Sequence, residues 1–528
     1  MEIQQQTKLF QAMETPSFYP HRVGRIEQRE THISKVFLTG DYVYKIKKPV
    51  NLEFLDFTTL EKRRHYCYRE VILNRRLSHN VYLDVVAISF HDGKYYFSES
   101  DNPIEYAVKM RQLTENRSMV QLLKKTKFDR KNIDDLALIL SDFYRQDHSS
   151  EPIHSFGAWK NIQANCEENF KQTTAFTGEM LDKQIFQIVR SATLSFLRRR
   201  KELFDNRSES GKIRDCHGDL RTGHIYFVND GIQIIDCIEF NDRFRFHDIA
   251  SDIAFLAMDL DYQGFPQIAS HFLSAYVKYS KDQEVFVLID FYKCYRAFVR
   301  CKVNCMRLHE GGLTEKLKSK LLKETMKYLD LSYQYAVKFT RPTLWVVCGM
   351  PGSGKSTISR ELSKEFGIKT FNSDVIRKEL FGMKPNNPAD MPFGKGIYSK
   401  GASRLTYGKL LLLAGEEIEK GNSAVLDATY SNEHHRDEAL RMAKDKDVNI
   451  VFVECVLKEE LTKKRLSNRK DDFQVSDARL SHFEYFKNKF KPFNKVDDVM
   501  HIRVNTEKPL KKCMQKILGK DYMVDFGS

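Results

Sequence analysis

One stretch of the chain, Gly349-Met350-Pro351-Gly352-Ser353-Gly354-Lys355-Ser356, fits the pattern GxxxxGK[ST]. It follows the apolar run TLWVVCGM and opens the helical pattern STISRELSKEF. Glycines let backbone N–H groups approach phosphate oxygens, and a helix N-terminus adds positive potential. Gly349, Gly352, Ser353, Gly354 and Thr357 shape such a cradle. Lys355 then reaches the β- and γ-phosphates of ATP, and the Ser356 hydroxyl binds Mg²⁺. Three further pieces lie downstream. Asp374 in Asn372-Ser373-Asp374 is placed to accept a proton from an attacking hydroxyl, and Arg377 to hold an anionic group. Asp427 in AVLDATY, at the end of an apolar strand, is expected beside the glycine loop, holding Mg²⁺ or its water. Arg465 and Arg469 are four apart, so one helix face can carry both over the phosphates.

A second stretch, Cys216-His217-Gly218-Asp219-Leu220-Arg221-Thr222-Gly223-His224, is followed by IIDCIEF. It has a loop aspartate after His-Gly and another aspartate 17 residues on, at a strand end. That spacing suits phosphoryl transfer. Asp219 orients or deprotonates an acceptor hydroxyl, and Asp236 binds Mg²⁺ on ATP. Upstream, Lys45 in Val43-Tyr44-Lys45 is a candidate phosphate-binding lysine, and Glu70 on the next helix is its candidate partner. Lys47 shares the strand face and is a rival. Arg296 and Arg300 share a helix face and suit either an anionic substrate or a structural ion pair. Cys294, Cys301 and Cys305 lack a histidine at ligand spacing and read as packed thiols. Arg198-Arg199-Arg200-Lys201 reads as a solvated helix end, with RNA contact as the alternative.

The first group of motifs resembles the polynucleotide-kinase, zeta-toxin and gluconate-kinase group of phosphotransferases, over about 340–520. The second resembles the aminoglycoside-phosphotransferase branch of the protein-kinase-like fold, whose loop reads HGDxxxxN. In that family the asparagine is a Mg²⁺ ligand; here the position is His224. Asp248 and Asp252 match the aspartates that brace the catalytic loop in such folds. The order of the two modules, with ETHISKVFL, YKIKKPVNLEFLDF and EFNDRFRFHDIASDIAFLAMDL, resembles the bacterial bifunctional aminoglycoside phosphotransferase/ATP-binding proteins over essentially the full length. The resemblance implies two ATP- and Mg²⁺-dependent kinase modules acting on a hydroxyl of a small molecule, nucleotide or RNA end. It leaves two alternatives: a degenerate N-terminal kinase that binds a ligand or RNA beside an NTPase switch, and a resistance kinase for aminoglycosides.

These residues need elements to position them. THISKVFLTGDYVYKIK alternates and reads as a hairpin turning at Thr39-Gly40-Asp41. Residues 58–78 read as a helix, and 83–97 and 104–113 as strands. Helical periodicity covers about 115–205 and 245–338, around a loop-and-strand block at 213–237. After Arg341-Pro342, short apolar strands (TLWVVCGM, KTFNSD, SAVLDAT, NIVFVECV) alternate with helices, which argues for a parallel sheet. The expected fold class is a bilobal α+β protein-kinase-like domain followed by an α/β P-loop domain. The expected boundaries are 1–113 for the N-lobe, 114–338 for the helical C-lobe and 342–528 for the P-loop domain.

Composition agrees with a large globular protein: 528 residues, 41% hydrophobic and 30% charged, with only 13 prolines and 25 glycines. No run of about 18 apolar residues suggests a membrane span. The start lacks the pattern of a secretory signal, so the ten cysteines are expected to be reduced thiols in the cytoplasm. The net charge of +14 divides into +6 over the first 340 residues and +8 over the last 188, which favours anionic ligands.

Overall fold

The computed structural model describes residues 3–52, 54–98, 102–125, 128–146, 151–310, 312–387, 389, 394–468, 476–493 and 500–518. The chain divides into two compact units: Met1–Lys281 with Tyr292–Ser332, and Asp282–Phe291 with Tyr333–Ser528.

The first unit opens with a six-stranded antiparallel sheet. Its strands run in the order Glu27–Glu30, Ser34–Leu38, Tyr42–Lys47, Glu105–Arg111, Tyr82–His91, Lys94–Phe97. The expected hairpin turns at Thr39-Gly40-Asp41. The segment 83–97 is itself two strands, because Asp92 and Gly93 both take positive φ and reverse the chain. The two faces of the sheet have different covers. Phe37, Tyr44 and Ile46 pack under Leu9, Met13, Phe18 and Tyr19 of the N-terminal segment. Val43, Val108 and Met110 pack under Cys67 and Val71 of the helix Leu60–Asn74.

The rest of this unit is helical around Ile249–Gln263. Every residue from Ile249 to Leu260 in that helix is buried, as befits a helix enclosed by others. Asp248 caps it, accepting from the Ala250 N–H, and also pairs with the buried Arg207. The block at 213–237 supplies three short strands, Ile213–Asp215, Ile225–Val228 and Gly231–Ile234. The region from 245 opens with a fourth, Phe246–Asp248, before the helices begin.

The second unit is a five-stranded parallel sheet in the order Lys369–Asn372, Ala424–Asp427, Thr343–Gly349, Asn449–Val456, Met500–Asn505. Helices cover both faces, so its strands are apolar on both sides. Leu344, Val346 and Leu426 meet Leu410 and Ala414 of the helix Lys400–Glu419 and Ala439 of Glu433–Asp445. Val347, Val425 and Val453 meet Ile358 and Leu362 of Lys355–Phe366 and Met514 of Leu510–Leu518. All ten cysteines are buried and outside any disulfide. Among the described residues no helix is long and apolar enough to cross a membrane.

Candidate functional site

In the strand Tyr42–Lys47, alternation puts Val43, Lys45 and Lys47 on the face toward the helix Leu60–Asn74. Lys45 Nζ donates to Glu70 Oε1 and to Asp236 Oδ1, both at 2.8 Å. Lys47 Nζ donates to Glu70 Oε2 at 2.7 Å and also to Glu239. The four contacts form one series, Asp236–Lys45–Glu70–Lys47–Glu239, with three carboxylates against two ammonium groups. Lys47 and Glu70 are fully buried and Glu239 nearly so. Burial opposes the charge on Lys45, but Asp236 and Glu70 prevail and hold its pKa well above the usual lysine range. Glu239 goes the other way: burial outweighs Lys47 and raises it. Lys47, the rival, is thus an internal strut, while Lys45 lies at the edge facing Asp236.

The loop at Cys216–His224 is held from below. Asp252 accepts from the backbone N–H groups of His217 (2.8 Å) and Gly218 (3.0 Å) and from the Tyr144 hydroxyl (2.7 Å). Asp252 therefore braces the loop, whereas Asp248 braces the helix behind it. Gly218 has φ +86, and a Cβ there would stand 2.9 Å from the Phe244 carbonyl oxygen; both force glycine. Asp219 accepts two bonds from Arg221, Nε and Nη2, each at 2.7 Å. Burial disfavours its charge, but Arg221 and then His224 outweigh that and hold it well below the ordinary carboxylate range. Asp236 is depressed likewise, burial being overcome mainly by Lys45. Its φ of +64 is a left-handed conformation rare for a residue with a side chain. Asp219, His224 and Asp236 present ligand atoms within 4.8 Å of one another, a donor set that fits a divalent cation.

Arg296 and Arg300 have separate surroundings. Arg296 is buried and donates to the Ser251 carbonyl, the Gly218 carbonyl and the His247 ring, a structural role. Arg300 lies by the Tyr328 ring and lowers the pKa of Asp219.

In the second unit the central strand ends at Gly349 with φ +133, where a Cβ would stand 2.4 Å from the Cys455 carbonyl oxygen. Gly354 caps the helix Lys355–Phe366 with φ +90. Lys355 Nζ donates to the Met350 carbonyl at 2.9 Å. The Ser353 hydroxyl is buried with no hydrogen-bond partner among the described residues, and neither Ser353 nor Gly349 is among the residues that line the cavity beside this loop. Asp427 is buried at the end of the neighbouring strand, bonded by Ser356 and by Asn372 Nδ2 at 2.9 Å. Burial raises its pKa against the pull of Lys355. Ser356 and Asp427 fit a Mg²⁺ ion.

The acceptor motif is arranged by Asn372. Its side chain caps the helix Ser373–Leu380, accepting from the N–H groups of Asp374 and Val375. The cap role falls on Asn372, so the Asp374 carboxylate is not spent on it. Arg377 Nη1 donates to Asp374 Oδ1 at 3.2 Å, and its buried Nε has no hydrogen-bond partner among the described residues. Gly352, Gly354, Lys355, Ser356, Thr357, Asp374, Arg377, Asp427 and Arg465 all line one cavity of about 1310 Å³. Arg465 donates to the carbonyls of Gly352 (3.4 Å) and Thr506 (3.1 Å). Its helix, Glu459–Ser467, ends before Arg469, which lies outside the described residues.

Sequence reasoning missed Arg221, Glu239 and much of this cavity's far wall: Tyr398, Lys400, Arg404, Tyr407 and Lys489. Lys400 and Arg404, four apart in the first turns of Lys400–Glu419, were a readable signal.

A family model described as an AAA domain matches residues 344–493. The uncharacterized protein Rv2004c of Mycobacterium tuberculosis is 30% identical over 432 residues, covering 81% of this chain and 83% of its own length. Similar solved structures include the GDP complex of wild-type aminoglycoside 2'-phosphotransferase-IIIa, with 15% identity, 62% of this chain, 98% of that chain and TM-score 0.39. The Mycobacterium tuberculosis APS kinase CysC in complex with AMPPNP and APS has 16% identity, 35% of this chain, 97% of that chain and TM-score 0.26. The matched residues 344–493 hold the glycine loop and four of the five strands of the parallel sheet.

Proposed function

This chain belongs to the family of the mycobacterial protein Rv2004c, and we propose that it is a two-headed ATP-dependent phosphotransferase, with the change of module along the sequence set near 338–342. Each module transfers the γ-phosphate to a hydroxyl. The observation that carries this reading for the second unit is the cavity into which Lys355, Ser356, Asp427, Asp374 and Arg377 all open; for the first unit it is the cluster of Asp219, His224 and Asp236 beside Lys45.

In the second unit, backbone N–H groups and Lys355 bind the phosphates, and Arg465 is placed to close on them. Asp374 takes the acceptor's proton, and Arg377 orients the acceptor. A Mg²⁺ ion on Ser356 and Asp427 would neutralise charge on the β- and γ-phosphates. Transfer then needs positioning and charge neutralisation rather than covalent catalysis. In the first unit, Lys45, steadied by Glu70, meets the nucleotide phosphates and Asp219 meets the acceptor. Arg221 can move from Asp219 onto the transferring group. The acceptor is a small molecule, a nucleotide or an RNA end. Guanidinium groups beside Asp219 suit a polycationic aminoglycoside poorly.

A second reading has its own observation. The bidentate bond from Arg221 occupies Asp219, as expected of a first unit that only binds ligand. One experiment separates the two. Labelled γ-phosphate from ATP is offered to 5′-hydroxyl oligonucleotides, nucleosides, sugars and aminoglycosides, with wild type, Lys355→Ala and Asp219→Ala in parallel. Some acceptors should lose label only in Lys355→Ala and others only in Asp219→Ala. If Asp219→Ala changes no transfer, the first unit is a binding module. If nothing is labelled, the transferase reading fails for both.

A further inference from the structure

His224 Nδ1 lies 2.9 Å from the backbone carbonyl oxygen of Asp219. A carbonyl only accepts, so Nδ1 carries a proton; a guanidinium only donates, so Nε2, which faces Arg221 Nη2, accepts with its lone pair. That lone pair points into the cluster: Nε2 is 3.6 Å from Asp236 Oδ2 and 3.1 Å from Arg221 Nη2. Two donors in neighbouring positions on an octahedral cation, each at about 2.1 Å, stand about 3 Å apart. Nε2 and Oδ2 therefore need only a small approach to share one ion. Asp236 is held for this by its other oxygen, which accepts from Lys45 at 2.8 Å. The Asp219 carboxylate completes the set. Two carboxylates and a neutral imidazole suit a divalent charge. Mg²⁺ prefers oxygen ligands, whereas an imidazole nitrogen favours first-row transition ions.

We propose that His224 Nε2, Asp236 and Asp219 form a cation site that selects a first-row transition ion over Mg²⁺, and that the Arg221 guanidinium competes with the ion for it. The inference rests on the first unit being nucleotide-dependent, since the ion would accompany the nucleotide. The competition follows from counting lone pairs. Nε2 has one, and it accepts from Arg221 or binds the ion, not both. Arg221 also draws on both oxygens of Asp219. The first unit then has two states: guanidinium in place, or ion in place with Arg221 released toward the phosphates. The second unit's pair, Ser356 and Asp427, offers only oxygen and keeps the ordinary preference for Mg²⁺.

The test measures Mn²⁺ binding through the electron paramagnetic resonance signal of the free ion. The full chain carries Lys355→Ala and Asp427→Asn to silence the second unit, and a non-hydrolysable ATP analogue is present or absent. One Mn²⁺ per chain should bind and resist about a hundredfold excess of Mg²⁺. Adding His224→Asn should weaken Mn²⁺ by about tenfold or more and let Mg²⁺ compete. Adding Arg221→Gln should tighten Mn²⁺ several-fold, a change opposite in sign to any damage to the fold. The inference is overturned if Mg²⁺ displaces Mn²⁺ equally well with His224 or Asn, or if Arg221→Gln weakens binding. Binding of the ATP analogue, followed separately by calorimetry, keeps the two claims apart. Nucleotide binding with no His224-dependent ion overturns the cation site and leaves the phosphotransferase reading. A His224-dependent ion with no nucleotide binding keeps the cation site and removes the phosphotransferase reading of the first unit, the second being silenced in this protein.

Discussion

The two units solve the same electrostatic problem in opposite ways. The second keeps its cations open. Lys355 donates its hydrogen bond to a carbonyl, Ser353 and Arg377 have atoms with no partner among the described residues, and eight lysines and arginines line the cavity against three aspartates. The first closes its charges on one another in the series from Asp236 to Glu239 and in the Asp219–Arg221 pair. An open site is ready for an anion but gives up pair interactions. A closed one is rigid and must exchange partners when a ligand arrives. Closed networks should therefore show in stability, and open ones in binding and rate.

The largest expected break in that comparison is Lys355→Ala. Transfer by the second unit should fall about a hundred- to a thousandfold, with the thermal unfolding of both units nearly unmoved; radiolabel transfer beside calorimetry checks both. Glu70→Gln should do the opposite in the first unit. It leaves Lys45 and Lys47 undercompensated in a buried place, at a cost of about 3–5 kcal/mol. Chemical denaturation followed by probes in each unit should show only the first transition moving. Gly349→Ala, which sets a Cβ against the Cys455 carbonyl and keeps a φ of +133, should cost the second unit about 2–3 kcal/mol.

Acid should sharpen the contrast further. Burial pushes His217 and His247 down to about 4. Between about pH 6.5 and 4 the unfolded chain takes protons that the folded first unit refuses, so its stability falls as pH drops. Below that window Asp219 and Asp236, both depressed, extend the loss. Asp427, raised by burial, shifts the second unit the other way, since its protonation relieves a buried charge. Melting at stepped pH should show the first unit failing earlier. The smallest effect is Asn372→Ala. Loss of the helix cap should cost about 1 kcal/mol, read as a shift in the second unit's unfolding midpoint.

How much was legible follows from the same contrast. The glycine loop is contiguous, and each of its residue types answers to one phosphate contact, so its elements could be read directly. The charge series is not contiguous. Lys47 and Glu70 are 23 apart, while Lys45 to Asp236 and Lys47 to Glu239 are 191 and 192 apart. No pattern along the chain marks Glu239 as anything but a carboxylate after a strand. Lys45 and Lys47 looked equivalent because alternation puts them on one face; only the depth of the helix above separates strut from edge. Arg221 hid within the HGD motif, since spacing reports which residues are near but not which bond they choose. The strands at 83–97 ran together because the Asp92-Gly93 turn was passed over.

The burial of all ten thiols has a practical meaning. Seven cysteines lie in the first unit and three, Cys348, Cys455 and Cys513, in the second. A thiol-reactive mass tag added to the native protein should stay silent until a unit opens. The tag count per molecule then acts as a stopwatch for each unit. Sevens without threes would mark the first unit opening alone, threes without sevens the second, and tens a joint collapse.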